Sequence, residues 1–216
     1  MQAVLKYSLL FFCLAGAQAR AQDAVALTHY VFATFTNGKV LQKNGSTDAA
    51  NLNYNVLSKE MIFEASPGQY MALADPEKMD TVFIQDRKFV PVGSNGFYEL
   101  LTGTPYPLLL EYTCTIREPG SDIGYGMSSV TTASPAVKSL IQSGGAYSLK
   151  LPDGFQVVTS ASFWILKDGK YQKANNAKQW MALFPGKKEV ISGWVRKANT
   201  NFSKKQDLVD LMKQLQ

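Results

Sequence analysis

Short runs of β-branched, aromatic and aliphatic residues, each closed by a turn-forming pair, follow one another from His29 to Arg117. This pattern predicts a β-meander. Residues 29–36 form one such run, Asn37-Gly38 follows, and residues 39–42 form the next. Asn-Gly between two runs signals a tight hairpin, because both central residues of that turn take positive φ. Asn44-Gly45 marks a second turn. Further strands are expected over 51–57, 60–64, 69–74, 80–85, 88–92, 97–101 and 108–117, with Pro67-Gly68 and Asp75-Pro76 in the turns between them. Strands this short at this spacing build a sandwich or an open barrel.

Residues 118–134 break the pattern with Pro119, Gly120, Gly124, Gly126 and many Ser and Thr. A loop of this length in a compact protein is commonly functional or a linker. A short helix is expected over 134–142, with Ser134 as cap and Pro135 at the first position. Strands resume over 145–151, 155–159 and 162–167, and Asp168-Gly169 closes a hairpin with 170–173. The C-terminus turns helical: 176–184 and 187–198 flank Pro185-Gly186, and Ser203 with Gln206 has the form of a capping box for a last helix carrying Leu208, Leu211, Met212 and Leu215. The expected fold class is α+β, mainly β: an antiparallel meander as a sandwich or open barrel, with a small C-terminal helical element. The expected division is a signal peptide over 1–21, the meander over 22–117, the loop over 118–134, and a mixed hairpin and basic helical part over 135–216 packed on the meander.

The first residues have the form of a secretory signal. Lys6 precedes an apolar stretch over 7–15, and Ala19-Arg20-Ala21 supplies the small-x-small pattern of a cleavage site. The stretch is shorter than the roughly 18–20 residues of a membrane span, and no other apolar run reaches that length. Cleavage after Ala21 removes Cys13 and leaves Cys114 alone, so no internal disulfide can form and the core must stabilise the protein by itself. Within the strand-like run 108–117, Cys114 reads as a buried, inert thiol. The mature chain carries a net charge of +3, unevenly spread: −4 over 22–163 and +7 over 164–216. A basic segment of this kind suits lipid headgroups or acidic glycan, and it also suits the solvated faces of helices. Its candidate contacts to an anionic surface are Lys187, Lys188, Arg196, Lys197, Lys204 and Lys205. Arg196 is the one arginine in the segment and no RNA-binding motif accompanies it, so nucleic acid is not an expected partner.

The residues that carry chemistry are sparse. His29 is the single imidazole, and one His with one mature Cys argues against a zinc site or a Cys/His nucleophile. No Gly-x-Ser-x-Gly elbow, Cys-x-x-Cys or His-Glu-x-x-His occurs. No catalytic residue, metal or cofactor is assigned. Asp75, Glu77, Asp80 and Asp86 are the carboxylates from which a glycan hydrolase would have to be built, if two of them faced one cleft. Turn positions account better for Asp75 and Glu77, around Pro76, and for Asp86, before Arg87 and Lys88. Trp164, Trp180 and Trp194 are considered as a carbohydrate platform, with Trp180 and Trp194 at helical core spacing. Tyr125, between Gly124 and Gly126, is the binding candidate in the long loop.

Leu52-Asn53-Tyr54-Asn55 with Met61-Ile62-Phe63, Leu73-Ala74-Asp75-Pro76, Asp80-Thr81-Val82, Arg87-Lys88-Phe89-Val90-Pro91 and Gly124-Tyr125-Gly126 occur in an order that resembles a family of exported proteins from Bacteroidetes bacteria. The resemblance implies export and a Gram-negative envelope, and brings no catalytic residues. Asp80-Thr81-Val82 also resembles the acceptor triplet for O-glycosylation in that phylum. The expected function is a non-enzymatic binding or envelope-assembly module at the periplasm, outer surface or medium, its partner an envelope protein or glycan. The alternatives are a carboxylate-based glycan hydrolase and a peripheral binder of anionic surfaces through the basic C-terminal segment.

Overall fold

The computed structural model describes residues 27–117, 141–143 and 145–215. Twelve strands are found among them: β1 Thr36–Gln42, β2 Thr47–Asn55, β3 Glu60–Ser66, β4 Gln69–Ala72, β5 Met79–Ile84, β6 Arg87–Pro91, β7 Phe97–Thr102, β8 Leu108–Arg117, β9 Gln142–Ser143, β10 Ala146–Tyr147, β11 Gln156–Lys167 and β12 Lys170–Lys173. The helices are α1 Ala177–Leu183, α2 Lys188–Ala198 and α3 Lys205–Lys213. Ten strands make one antiparallel sheet in the order β12-β11-β8-β7-β6-β5-β1-β2-β3-β4, and β9 pairs with β10. Two meanders therefore meet at the β1–β5 pair, the chain crossing from β4 at one edge to β5 on the far side of β1. The expected mainly antiparallel fold with a small C-terminal helical element is what forms.

Alternation places one side-chain row inward and the next outward. Val40, Leu52, Tyr54, Met61, Val82, Ile84, Phe89 and Phe97 form one buried cluster on the inner face. At the β8–β11 end, Leu108, Leu110, Phe163 and Ile165 of that face are covered by the helices through Trp180, Ile191, Leu208, Leu211 and Met212. The sheet curls strongly enough that β3 is buried on both sides. Met61 faces the main cluster, while Ile62 packs with Tyr30, Ile141, Tyr147 and Ile116 of β8. The edge strands β4 and β12 do not pair with each other, so the curl stays open.

The turn expectations at Asn44-Gly45, Pro67-Gly68 and Asp168-Gly169 hold, Gly68 taking φ 80° between β3 and β4. Gly45 at φ 87° sits in the β1–β2 turn, and Asp168 and Gly169 both take positive φ between β11 and β12. Asn37-Gly38 does not turn. Both residues lie within β1, Gly38 opposite Ala50 of β2 and Ile84 of β5. A Cβ on Gly38 would stand 2.6 Å from the Phe83 carbonyl oxygen and 2.8 Å from Leu52 Cδ1. The glycine is there for close packing in a central strand, not for a hairpin. The expected 29–36 strand is instead an irregular approach to β1. Tyr30 bridges to Asn55, and the Asn53 amide fills the gap in the ladder by accepting from Phe32 N–H and donating to the Phe32 carbonyl.

The 155–159 and 162–167 strands are one, β11, because the ladder with β8 runs unbroken from Gln156 to Ile165. The expected strand over 145–151 shortens to Ala146–Tyr147. Asn176 caps α1 by accepting from Gln179 N–H. The Ser203 capping box does not form: α3 opens after Lys204 with no side-chain cap, and Asp207 instead accepts from Asn201 N–H. The signal segment and the 118–134 loop lie outside the described residues. So does the 134–142 helix apart from its end, where Gln142 belongs to β9. Among the described residues no helix is long and apolar enough to cross a membrane.

Candidate functional site

The outer face of the sheet carries a ladder that the strand registers spell out. Lys39 stands opposite Phe83, Phe83 opposite Lys88, Lys88 opposite Leu100, Leu100 opposite Leu109, Leu109 opposite Trp164, and Trp164 opposite Lys173. Seven strands thus contribute one residue each to a single row. Tyr171, on the same face two positions before Lys173, is 39% exposed. Within the row Leu109 is buried, and Leu100 and Trp164 are half-buried; Tyr98 and Val92 are buried beside them, with Val90 and Leu166 half-buried against the cluster. The strands are about 4.8 Å apart. Lys39 to Lys88 therefore spans about 10 Å, and Lys88 to Lys173 about 19 Å.

The rings of this face are held in place. Glu111 accepts a 2.9 Å bond from Trp164 Nε1 and faces Lys59 Nζ at 3.7 Å. Burial and the neighbouring Glu111 carboxylate push the Tyr98 phenol up to about 12, so it stays a neutral donor. Tyr98 lies 6.1 Å from both Trp164 and Tyr171, tilted to the first and edge-on to the second. The cations sit beside the rings: Lys173 Nζ is 5.6 Å from the Trp164 centroid, and Lys88 Nζ is 5.9 Å from that of Phe83. Lys39, Lys59, Lys88 and Lys173 outweigh the one carboxylate of Glu111 in these rows. Such a surface offers apolar ring faces to C–H groups and ammonium groups to anions.

The inner face carries a charged network of another kind. Glu99 is 6% exposed at its side chain and accepts from Arg87 Nε at 2.9 Å, Arg87 Nη2 at 2.7 Å, Tyr112 Oη at 2.5 Å and Lys205 Nζ at 2.7 Å. Burial alone would raise its pKa, but the bonds from Arg87, Lys205 and Tyr112 reverse that and hold it below the ordinary value. The guanidinium also lies 4.6 Å from the Phe32 ring centroid and 5.1 Å from that of Phe89. With one bond on Oε1 and three on Oε2, the Glu99 network is a clamp between α3 and the sheet.

The basic residues singled out in the sequence are spread over α2, the turn before it and the start of α3. Lys187, Lys188, Arg196, Lys197 and Lys204 are exposed, whereas Lys205 is turned onto Glu99 and away from that role. Lys188 and Lys197 stand at opposite ends of α2, about 14 Å apart along its axis. Tyr125 lies outside the described residues. Of the acids, Asp75 and Glu77 line an open cleft of about 560 Å³ with Asp48, Lys43 and Lys78, and Asp75 is engaged by Lys78 at 2.7 Å. Asp80 is occupied by the Thr81 hydroxyl at 2.8 Å, and Asp86 is exposed at the β5–β6 turn.

His29 is wholly buried, with neither ring nitrogen hydrogen-bonded among the described residues, and burial lowers its pKa to about 4. Burial likewise lifts the Cys114 thiol to about 11, with Lys59 opposing only in part. Trp180 is fully buried and donates to the Ala174 carbonyl, and Trp194 packs against the same helical core. Among the described residues no three His, Cys, Asp or Glu side chains gather as metal ligands would.

Lys39, Phe83, Lys88, Tyr171 and Lys173 are the surface residues that sequence reasoning missed, together with the buried Tyr98 beside them. Each is unremarkable within its own strand. No protein-family model, curated protein or solved structure matches the chain.

Proposed function

We propose that the protein is an exported, non-enzymatic binding module of a bacterial envelope whose outer sheet face takes up acidic glycan. The observation that carries this reading is the seven-strand row from Lys39 to Lys173, in which three lysines are interspersed with Phe83, Leu100 and Trp164. A sugar chain bearing carboxylates has the matching chemistry: apolar C–H faces for Trp164 and Tyr171, and regularly placed anions for the lysines. The length of the row suits an oligomer lying across the strands rather than a single sugar. The signal-like N-terminus and the resemblance to exported Bacteroidetes proteins support an envelope location. The two alternatives have less to stand on. The basic C-terminal residues are dispersed, with Lys205 committed to Glu99, and the Asp75 carboxylate is committed to Lys78.

Titration calorimetry with polygalacturonate tests the reading, with a neutral glucan as control. Binding is expected for the first alone and weakens as salt rises, since the lysines are exposed and screened. Removing an aromatic anchor costs about 2 kcal/mol at a binding hot spot, so Trp164→Ala is expected to weaken binding about 30-fold. Equal binding of the neutral polymer, or an unchanged affinity in Trp164→Ala, overturns the proposal.

A further inference from the structure

We infer that the free edge of β11 is a self-recognition surface, pairing antiparallel with the same edge of a second copy. β11 is hydrogen-bonded to β8 along Gln156–Ile165, but β12 covers only Trp164–Lys167 on its other side. Asn175 closes that cover: its Oδ1 accepts from Phe163 N–H at 2.7 Å, while Ala174 N–H donates to the Phe163 carbonyl at 2.8 Å. Both backbone groups of Phe163 therefore point away from β8. The amide of Leu166 points the opposite way, donating to the Pro107 carbonyl. In an antiparallel ladder the direction alternates residue by residue. Val157, Thr159 and Ala161 thus aim their N–H and C=O outward like Phe163, and among the described residues these groups have no backbone partner.

Among the described residues this edge lacks the usual protection. Strand edges are commonly blunted by lysine, proline, an inward charge or a bulge. The stretch Gln156-Val157-Val158-Thr159-Ser160-Ala161-Ser162 contains no charge and no proline, and its ladder with β8 runs without a register shift. Gln156, Val158, Thr159, Ser160 and Ala161 are exposed, Val158 at 42%.

A second copy is the occupant that fits. The open stretch is bounded by the turn at Pro152–Phe155 and by the Asn175 cap, and its midpoint is Thr159. A two-fold axis through that midpoint sets Val157 opposite the partner's Ala161 and Thr159 opposite the partner's Thr159. The three outward donors and three outward acceptors of each copy are then all matched. The side chains that meet are small and uncharged, and Thr opposite Thr is a favourable cross-strand pair. With no charge in the stretch, two identical edges approach without repulsion. The axis of such a pair is perpendicular to the sheet, so both copies present their outer faces on the same side. The two Trp164 rings would then lie about 34 Å apart along the strand direction. The edge pairing itself does not depend on the glycan reading.

Sedimentation velocity across a range of protein concentrations, together with amide hydrogen exchange, tests the inference without any glycan. The expected result is a concentration-dependent dimer. The amides of Val157, Thr159 and Ala161 become protected as it forms, while those of Val158 and Ser160, already bonded to β8, do not change. Thr159→Pro deletes an outward donor and leaves the β8 ladder intact, as proline on an edge allows, and is expected to be monomeric. Thr159→Lys, which sets two charges face to face, gives the same result should the proline variant fail to fold. A monomer at every concentration overturns the inference. So does a dimer unaffected by Thr159→Lys, or protection of the three amides that is independent of concentration, which would mean that another segment or a foreign strand occupies the edge.

Discussion

Gly38 and His29 show how single positions carry constraints of opposite kinds. At Gly38 the constraint is space. The Phe83 carbonyl that a Cβ would meet belongs to a neighbouring strand and cannot swing aside as a side chain could. Overpacking of a central strand costs about 3 kcal/mol, so Gly38→Ala is expected to lower the urea midpoint with an unchanged m-value. At His29 the constraint is charge. At pH 7 the ring is neutral in both folded and unfolded chains. As pH falls below the ordinary value of 6.5, the unfolded chain takes up a proton that the buried ring refuses until about 4. Stability is therefore complete above pH 6.5 and is lost between pH 6.5 and 4, by at most about 3 kcal/mol. Urea melts at pH 7 and pH 5 are expected to show this loss in the native protein and to show little of it in His29→Leu. Glu99 acts in a separate window, because its lowered pKa keeps its contribution present until pH falls below the ordinary carboxylate range. The single imidazole was legible in the sequence, but its place in an irregular approach to β1 was not. Nor was its depth, since burial depends on the Ile116 end of β8 folding over the Tyr30 segment.

Elements were legible where the signal is local. The Asn44-Gly45 and Asp168-Gly169 turns, the strand Leu108–Arg117 and the helix capped by Asn176 all follow from residues within a few positions of one another. Asn37-Gly38 carries the same dipeptide as a true hairpin, and only its partners in β2 and β5 distinguish the two. Lys205 was legible as a basic helix residue, but not as the partner of a carboxylate 106 positions earlier. That pairing fixes how the helical element sits on the sheet, and its members are unequal. Removing Glu99 leaves the Arg87 guanidinium largely buried and unpaired, which costs about 3–5 kcal/mol. Removing Lys205, whose side chain is 41% exposed, costs about 1 kcal/mol or less. Chemical denaturation of Glu99→Ala and Lys205→Ala is expected to show that order. Equal losses would mean that Lys205, not Arg87, anchors the clamp.

At the scale of the whole molecule, the expected β-rich fold with its helical appendage came from pattern, but the surface that carries the proposed function did not. Lys39, Phe83, Lys88, Leu100, Leu109, Trp164 and Lys173 are spread over most of the described chain. They form a row only because seven strand registers align them. Weighing Trp164 alongside Trp180 and Trp194 in the sequence grouped three rings that the fold separates: two enter the helical core and one faces outward beside Lys173. Strand alternation decides this, and no single segment records it. The proposed binding surface is this outer face. Amide chemical-shift mapping with a galacturonic acid oligomer tests it most directly. The perturbed amides are expected to cluster at Lys88, Leu100, Leu109, Trp164, Tyr171 and Lys173. Perturbations confined to α2 and α3, or to the cleft around Asp75, or absent altogether, would contradict it.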